Sequence, residues 1–281
     1  MKMKEIILDT LLDAIRLLPF LFIAFLIIEF VEHKLTKKSK KIIAKSKKLG
    51  PIIGSLLGAF PQCGFSVMAT NLYTTRIISL GTLISIYLST SDEMLPILIS
   101  ESVDIKIILR ILSIKIALGM IYGLIIDFVL RKKESKEKYT ICEDEHCHCE
   151  NGIIISAIKH TLSTISFILI VSFIINIFFE YIGEDYLSKI LLKDSIFSPF
   201  VACLIGLIPN CSSSIILTEL YLNSAISFSS LIAGLLTGSG TALLVLIKSN
   251  KNMKENITII MLIYFLGAFS GIAINIIEKL L

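Results

Sequence analysis

Shifted by 148 positions, the chain matches itself. Pro51 falls on Pro199, Gly58 on Gly206, Pro61 on Pro209 and Cys63 on Cys211. The match continues through Ser66/Ser214, Thr70/Thr218, Leu72-Tyr73/Leu220-Tyr221, Ile78-Ser79/Ile226-Ser227 and Ser91/Ser239. From Pro51 to Ile99, about 18 of 49 positions are identical. The same register lays Gly119 on Gly267 and Gly123 on Gly271, with Asp127 on Asn275. Slipped by one residue, the run from Phe20 faces the run from Phe167. Isoleucine-rich segments align with one another by chance, but chance does not match prolines, a cysteine and a Gly-x-x-x-Gly in one register. The chain therefore reads as two copies of one unit, 1–130 and 151–281, joined by a polar linker, 131–150.

Each copy must fold in lipid. Of the 281 residues, 54% are hydrophobic and only 18% charged, too little charge to cover a soluble domain of this size. Apolar runs of roughly 20 residues, each long enough to cross about 30 Å of hydrocarbon, recur along the chain. They are Leu11–Val31, part of Ile77–Ile99, Ile107–Leu130, Leu162–Ile182, Leu231–Ile247 and Ile257–Ile277. Asp9 and Asp13 fall where a signal peptide would be apolar, so the N-terminal stretch reads as the lead into the first span. The six cysteines do not suggest a disulfide scaffold.

Lysine placement orients the copies, because Lys and Arg collect in cytoplasmic loops. In the first half, loop 33–48 is dense in Lys and loop 101–106 is nearly neutral. In the second half the pattern swaps, with 183–195 unbiased and 248–256 basic. The linker segment 131–138 is basic and placed inside, whereas Lys2 and Lys4 fall on the outer side of this scheme. Each half then crosses an odd number of times, and the expected fold is an all-α polytopic membrane protein of two inverted-topology repeats, with about 8–10 membrane segments.

About 50 residues separate Pro51 from Glu101, too many for one crossing and of the wrong parity for two. A short helix entering to Pro61-Gln62-Cys63, a second leaving it and then a full span satisfies the parity, and so do three thin crossings. Pro61 interrupts the backbone ladder at membrane depth, which survives only inside protein or beside a water-filled cavity. Asp92 and Glu93 carry the same message, since carboxylates within a membrane are costly and point to function.

Broken helices at matching positions of inverted repeats are the mark of a secondary transporter with a mid-membrane site. Candidate substrate-binding residues are Pro61, Gln62, Cys63, Ser66, Thr70, Asn71, Ser91, Asp92 and Glu93 in the first half. In the second they are Pro209, Asn210, Cys211, Ser214, Thr218, Glu219 and Ser239. Thiolates suit soft ions, so Cys63 and Cys211 could hold trivalent arsenic or a soft metal; small buried residues at a helix contact are the competing role. Asp92, Glu93 and Glu219 could bind a hard cation or carry coupling protons. Asn71 stands opposite Glu219 in the repeat, so a site built from both is asymmetric. Ser66, Thr70, Ser214 and Thr218 recur at four-residue spacing and could serve substrate or helix packing. The paired Gly-x-x-x-Gly motifs read as helix contact.

The linker carries a separate signal. Cys142, His146, Cys147, His148 and Cys149 stand among four carboxylates, the composition of a metal-chelating tract. Its spacing differs from a structural zinc finger, so a flexible cytoplasmic loop is expected.

The duplicated Pro-x-Cys segments, the Ser-Thr-Ser-Asp-Glu run at 89–93 and the Cys/His-rich linker together resemble one family. It comprises heavy-metal exporters of about ten membrane segments, grouped with arsenic permeases and also labelled manganese transporters. That resemblance spans the whole chain and implies export of a heavy metal or metalloid across a prokaryotic cytoplasmic membrane. Within it, an arsenic-like or soft cargo is favoured over Mn2+ or another divalent cation, because cysteines pair across the copies. A channel, or a subunit of a larger exporter, is the alternative. No Walker motif and no H-E-x-x-H occurs, so neither direct ATP use nor a zinc protease is expected. No cofactor is expected and no enzymatic activity. The expected partners are the transported ion and membrane lipid, with no nucleic acid; a homo-oligomer is compatible with the pattern.

Overall fold

The computed structural model describes residues 7, 10–12, 14–23, 25–26, 49–60, 64–91, 93–130, 153–182 and 197–280. An N-terminal helical stretch runs through the described part of 10–26. Among the described residues, eleven helices follow: α1 (Gly50–Gly58), α2 (Gly64–Thr74), α3 (Leu80–Ser89), α4 (Met94–Ser100), α5 (Ile105–Leu130), α6 (Ile153–Ile182), α7 (Ser198–Gly206), α8 (Ser212–Leu222), α9 (Phe228–Thr237), α10 (Ala242–Ser249) and α11 (Met253–Leu280). The first residues of α7 to α11 stand 148 positions after those of α1 to α5, as 198 follows 50 and 253 follows 105. The duplication read from sequence is thus repeated in the order of elements.

The repeated residues set the repeated boundaries. Pro51 and Pro199 occupy the first turns of α1 and α7, where proline's missing N–H costs nothing and its fixed φ fits the helix. Ser79 and Ser227 cap α3 and α9, each hydroxyl accepting the N–H three residues on, at 3.2 Å. The first half adds a carboxylate. Asp127 Oδ1 accepts the Gly81 N–H at 2.8 Å and Oδ2 accepts the Ser79 hydroxyl at 2.6 Å, placing negative charge at the start of α3.

Contacts between helices fix the path of the chain. A Cβ placed on Gly50, Gly54 or Gly58 would meet Thr82, Ser85 or Ser89, so α1 and α3 run in the same direction from the same level. Between them the chain must turn back along α2. Helices α1 and α2 therefore run in opposite senses, as both of the expected arrangements require. In the second half, Ser198 bonds Ser230 and Thr237 bonds the Cys203 carbonyl, so α7, α8 and α9 follow the same course. At 9 to 11 residues, α1, α2, α7 and α8 rise about 14–17 Å each, half a bilayer.

Each half closes on a tight three-helix contact. A Cβ on Gly123 of α5 would stand 2.6 Å from the Gly81 carbonyl and 2.9 Å from Pro51 Cβ. At the equivalent Gly271 of α11 the neighbours are Ala233 Cβ at 2.6 Å and Pro199 Cβ at 2.9 Å. Only glycine lets the three backbones approach this closely, the packing role expected for the Gly-x-x-x-Gly pairs.

Among the described residues, four stretches are long and apolar enough to cross a membrane: Ile105–Leu130, Ala157–Ile177, Phe228–Ser249 and Met253–Leu280. The first, second and fourth are at most one-third buried, as lipid-facing helices are, whereas Phe228–Ser249 is 94% buried at the centre. Equivalent helices of the two halves pass each other in opposite directions. Arg110 near the start of α5 meets Glu278 near the end of α11, while Tyr122 meets Ser270 further in. Likewise Phe25 stacks on His160 and Thr10 bonds Asn176, along the N-terminal helix and α6.

Candidate functional site

Two central helices are interrupted. Helix α3 stops at Ser89 and α4 begins at Met94; α9 stops at Thr237 and α10 begins at Ala242. The residues between include Thr90 and Ser91 in one break and Ser239 and Thr241 in the other, all at most 2% exposed. In the second break Gly240 takes φ 55°, a left-handed turn open to glycine. The Ser239 and Thr241 hydroxyls are buried with no hydrogen-bond partner, which is uncommon for polar atoms inside a protein.

The end of α1 and the last turn of α7 lie beside these breaks. Ser91 Oγ donates to the Ala59 carbonyl at 2.5 Å, joining the first break to the end of α1. In the second half, Thr237 Oγ1 donates to the Cys203 carbonyl at 3.0 Å, and the Gly206 and Gly234 backbones are in contact. Two side chains then tie one half to the other. Lys115, 1% exposed and midway along α5, donates from Nζ to the carbonyls of Thr90 and Leu235, the latter at 2.8 Å. Tyr87, fully buried, places its hydroxyl 2.5 Å from Thr70 Oγ1 and 3.5 Å from the Ala242 carbonyl. Both helix breaks thus meet in one buried layer, with the end of α1 beside the first.

Several expected residues lie in or beside this layer. Thr70 Oγ1 donates to the Ser66 carbonyl, Ser214 Oγ to the Cys211 carbonyl, and Thr218 Oγ1 to the Ser214 carbonyl. These hydroxyls bond their own helices, as the packing role requires, and Ser66 is buried with them. Cys211 is 2% exposed at the start of α8. Beside it, at the second tip, Asn210 Nδ2 donates to Asn176 Oδ1, which also accepts the Ser212 hydroxyl at 2.8 Å; Asn210 Oδ1 is left unpaired. Pro209 is half-buried in the same tip.

Other expected residues stand apart. Asn71 is fully buried but faces the far end of α10, with Ser249 Oγ 3.4 Å from Oδ1 and its Nδ2 unpaired. Its counterpart Glu219 is half-buried. Glu93 pairs with Arg16 at 3.3 Å with its side chain 28% exposed, so it is not sealed in the interior. Pro61, Gln62, Cys63 and Asp92, and Cys142, His146, Cys147, His148 and Cys149 of the linker, lie outside the described residues. Among the described residues, no three His, Cys, Asp or Glu side chains converge as metal ligands.

Sequence reasoning missed Lys115, Tyr87 and Asn176. Lys115, the one lysine in the apolar stretch 107–130, was a readable signal, as was one asparagine in the apolar run of α6. Nothing local marks Tyr87, whose role depends on its contact across the halves.

Comparison with known proteins agrees with this architecture. A family model described as "Putative, 10TM heavy-metal exporter" matches residues 2–181 and 150–280. No curated protein and no solved structure matches the chain. Each half offers five membrane segments among the described residues: an opening helix (10–26 or α6), the two hairpin arms, the interrupted helix, and α5 or α11. The chain is a multi-pass membrane protein belonging to this family of heavy-metal exporters.

Proposed function

We propose that the protein is a secondary transporter that exports a heavy metal or metalloid across the cell membrane by alternating access, driven by protons. The single observation that carries this reading is the meeting of both broken helices in one buried layer, joined through Lys115, with Ser239 and Thr241 holding unpaired polar atoms there. Irregular backbone at membrane depth is tolerated where it is buried in protein or lines a cavity, and transporters use it to bind cargo.

The antiparallel passage of α5 past α11 and of the N-terminal helix past α6 supports inverted repeats. So does the count of crossings, since an opening helix, a re-entrant hairpin, an interrupted helix and a closing helix cross three times per half. Rocking one half against the other would expose the layer to either face in turn. Cys211 at the second tip, with Cys63 at the equivalent sequence position, supports a soft or arsenic-like cargo over Mn2+, which prefers oxygen. The linker residues Cys142, His146, Cys147, His148 and Cys149 would gather the ion on the cytoplasmic side.

The test is expression in a metal-sensitive host challenged with arsenite, methylated arsenicals, Mn2+, Zn2+ and Cd2+, with cellular metal measured. Resistance with lowered content of an arsenical is expected, lost in both Cys63→Ala and Cys211→Ala. If both variants export normally while Asp92→Asn fails, the soft-ion reading is overturned in favour of a hard cation. Flux that neither saturates nor responds to a proton gradient would indicate a channel instead.

A further inference from the structure

Lys115 sits where a transporter of this architecture can hold a coupling cation. The residue is 1% exposed, and its ammonium touches backbone oxygen at the end of each central half-helix. Thr90 is the C-cap of α3, and Leu235 stands in the last turn of α9, two residues before its end at Thr237. Carbonyls in these positions lack the N–H partners that a continuing helix would supply. Each helix C-terminus also carries about half an elementary negative charge. Two such ends together favour a single positive charge, an ammonium or an alkali-metal ion, over a divalent cation. Half-helix C-termini and unwound carbonyls are a known means of holding Na+ in secondary transporters.

The repeat supplies a second argument. The position equivalent to Lys115 in the second half is Ile263, so a single cation serves both breaks. Were Lys115 only a packing residue, one carbonyl or a water would suffice as its partner. Instead its Nζ bridges residues 145 positions apart in sequence, one from each copy, since 235 minus 90 is 145. The unpaired Ser239 and Thr241 hydroxyls of the second break offer further oxygens in the same layer.

We propose that Thr90 and Leu235 form, with the neighbouring break hydroxyls, a monovalent-cation site that Lys115 fills as a tethered ion. The wild-type protein then needs no alkali-metal ion to hold its two interrupted helices together. Shortening the side chain opens the site to a free alkali ion.

The experiment uses the purified full-length protein in detergent and reads thermal unfolding in chloride salts of choline, Li+, Na+ and K+ at equal ionic strength. Because it needs no cargo and no transport, it can fail while the exporter reading stands, and the reverse. Wild type is expected to unfold at one temperature in all four salts. Lys115→Ala and Lys115→Ser are expected to be less stable in choline and to rise in at least one alkali salt, saturably, by about 5–10 °C at concentrations near 100 times the dissociation constant. Lys115→Met, which keeps the bulk that blocks the site, is expected to lose stability in every salt with no selective recovery. Variants that can be purified only in the presence of an alkali ion would support the site in stronger form. If Lys115→Ala and Lys115→Ser unfold at the same temperature in choline as in all three alkali salts, or fold in none of them, the proposal is overturned.

Discussion

Replacing Gly123 with alanine adds one methyl group at a point where three helices already touch. That carbon would lie 2.6 Å from the Gly81 carbonyl oxygen, 2.8 Å from Ser85 Cβ and 2.9 Å from Pro51 Cβ. None of these is the loose end of a flexible side chain, so relief requires α1, α3 and α5 to move apart. Overpacking of this kind costs about 1–3 kcal/mol. Alanine's better helix propensity offsets about 0.5–1 kcal/mol. The net loss is then about 0.5–2 kcal/mol, or a fall in unfolding temperature of about 1–8 °C for a chain of this size. Gly271→Ala should behave alike, because its Cβ would meet Ala233 Cβ at 2.6 Å and Pro199 Cβ at 2.9 Å. Gly238 supplies the control. Its nearest neighbour to an added Cβ is 3.5 Å away, and its φ of −72° suits alanine. The assay is thermal unfolding of purified protein in detergent, followed by intrinsic fluorescence or by light scattering. The packing argument is refuted if Gly123→Ala or Gly271→Ala unfolds at or above the wild-type temperature, or if Gly238→Ala does more harm than either.

Arg76 and Glu255 should couple across the halves: the guanidinium donates to both carboxylate oxygens at 2.7 and 2.9 Å, and Tyr73 donates to the same group. With the two side chains 34% and 19% exposed, solvent weakens the pair, and a double-mutant cycle of Arg76→Ala and Glu255→Ala should give about 1–2 kcal/mol. A coupling near zero would show that α2 and α11 do not rely on this contact. Ser239→Ala should leave stability unchanged or raise it by up to about 1 kcal/mol, since the lost hydroxyl has no partner, while export falls. A variant that is clearly less stable and exports normally would mean the hydroxyl serves the fold and not the cargo.

Much of the fold was legible because it repeats. A proline that can only open a helix, a serine that caps one and a glycine that admits a neighbouring backbone leave the same marks twice, and the marks at 51, 79 and 123 return at 199, 227 and 271. The hairpin was left open between two arrangements, because periodicity does not say whether a short apolar helix goes on or turns back. Contacts of Gly50, Gly54 and Gly58 with α3 show that α2 runs back between two parallel helices, a course the two arrangements share. The site was harder to read. Polar residues in the breaks stand out against an apolar chain, whereas Ser214 and Thr218 look identical whether they bond cargo or their own helix. Lys115 went unmarked because attention to helix breaks looks past an intact helix, and its carbonyl partners are backbone atoms that no side-chain pattern records. Tyr87 and Asn176 gain their roles only from chain segments far away in sequence.

The central claim is that two copies of one unit stand in opposite senses in the membrane and bring their interruptions together. Sidedness of the turns before α5 and α11 tests it most directly, with single cysteines placed at Asp104 and at Lys251 in a cysteine-free chain and labelled by a membrane-impermeant thiol reagent in sealed cells. The account predicts that the cysteine at 104 is labelled from outside and the one at 251 only after the membrane is opened. Labelling of both from the same side would contradict it.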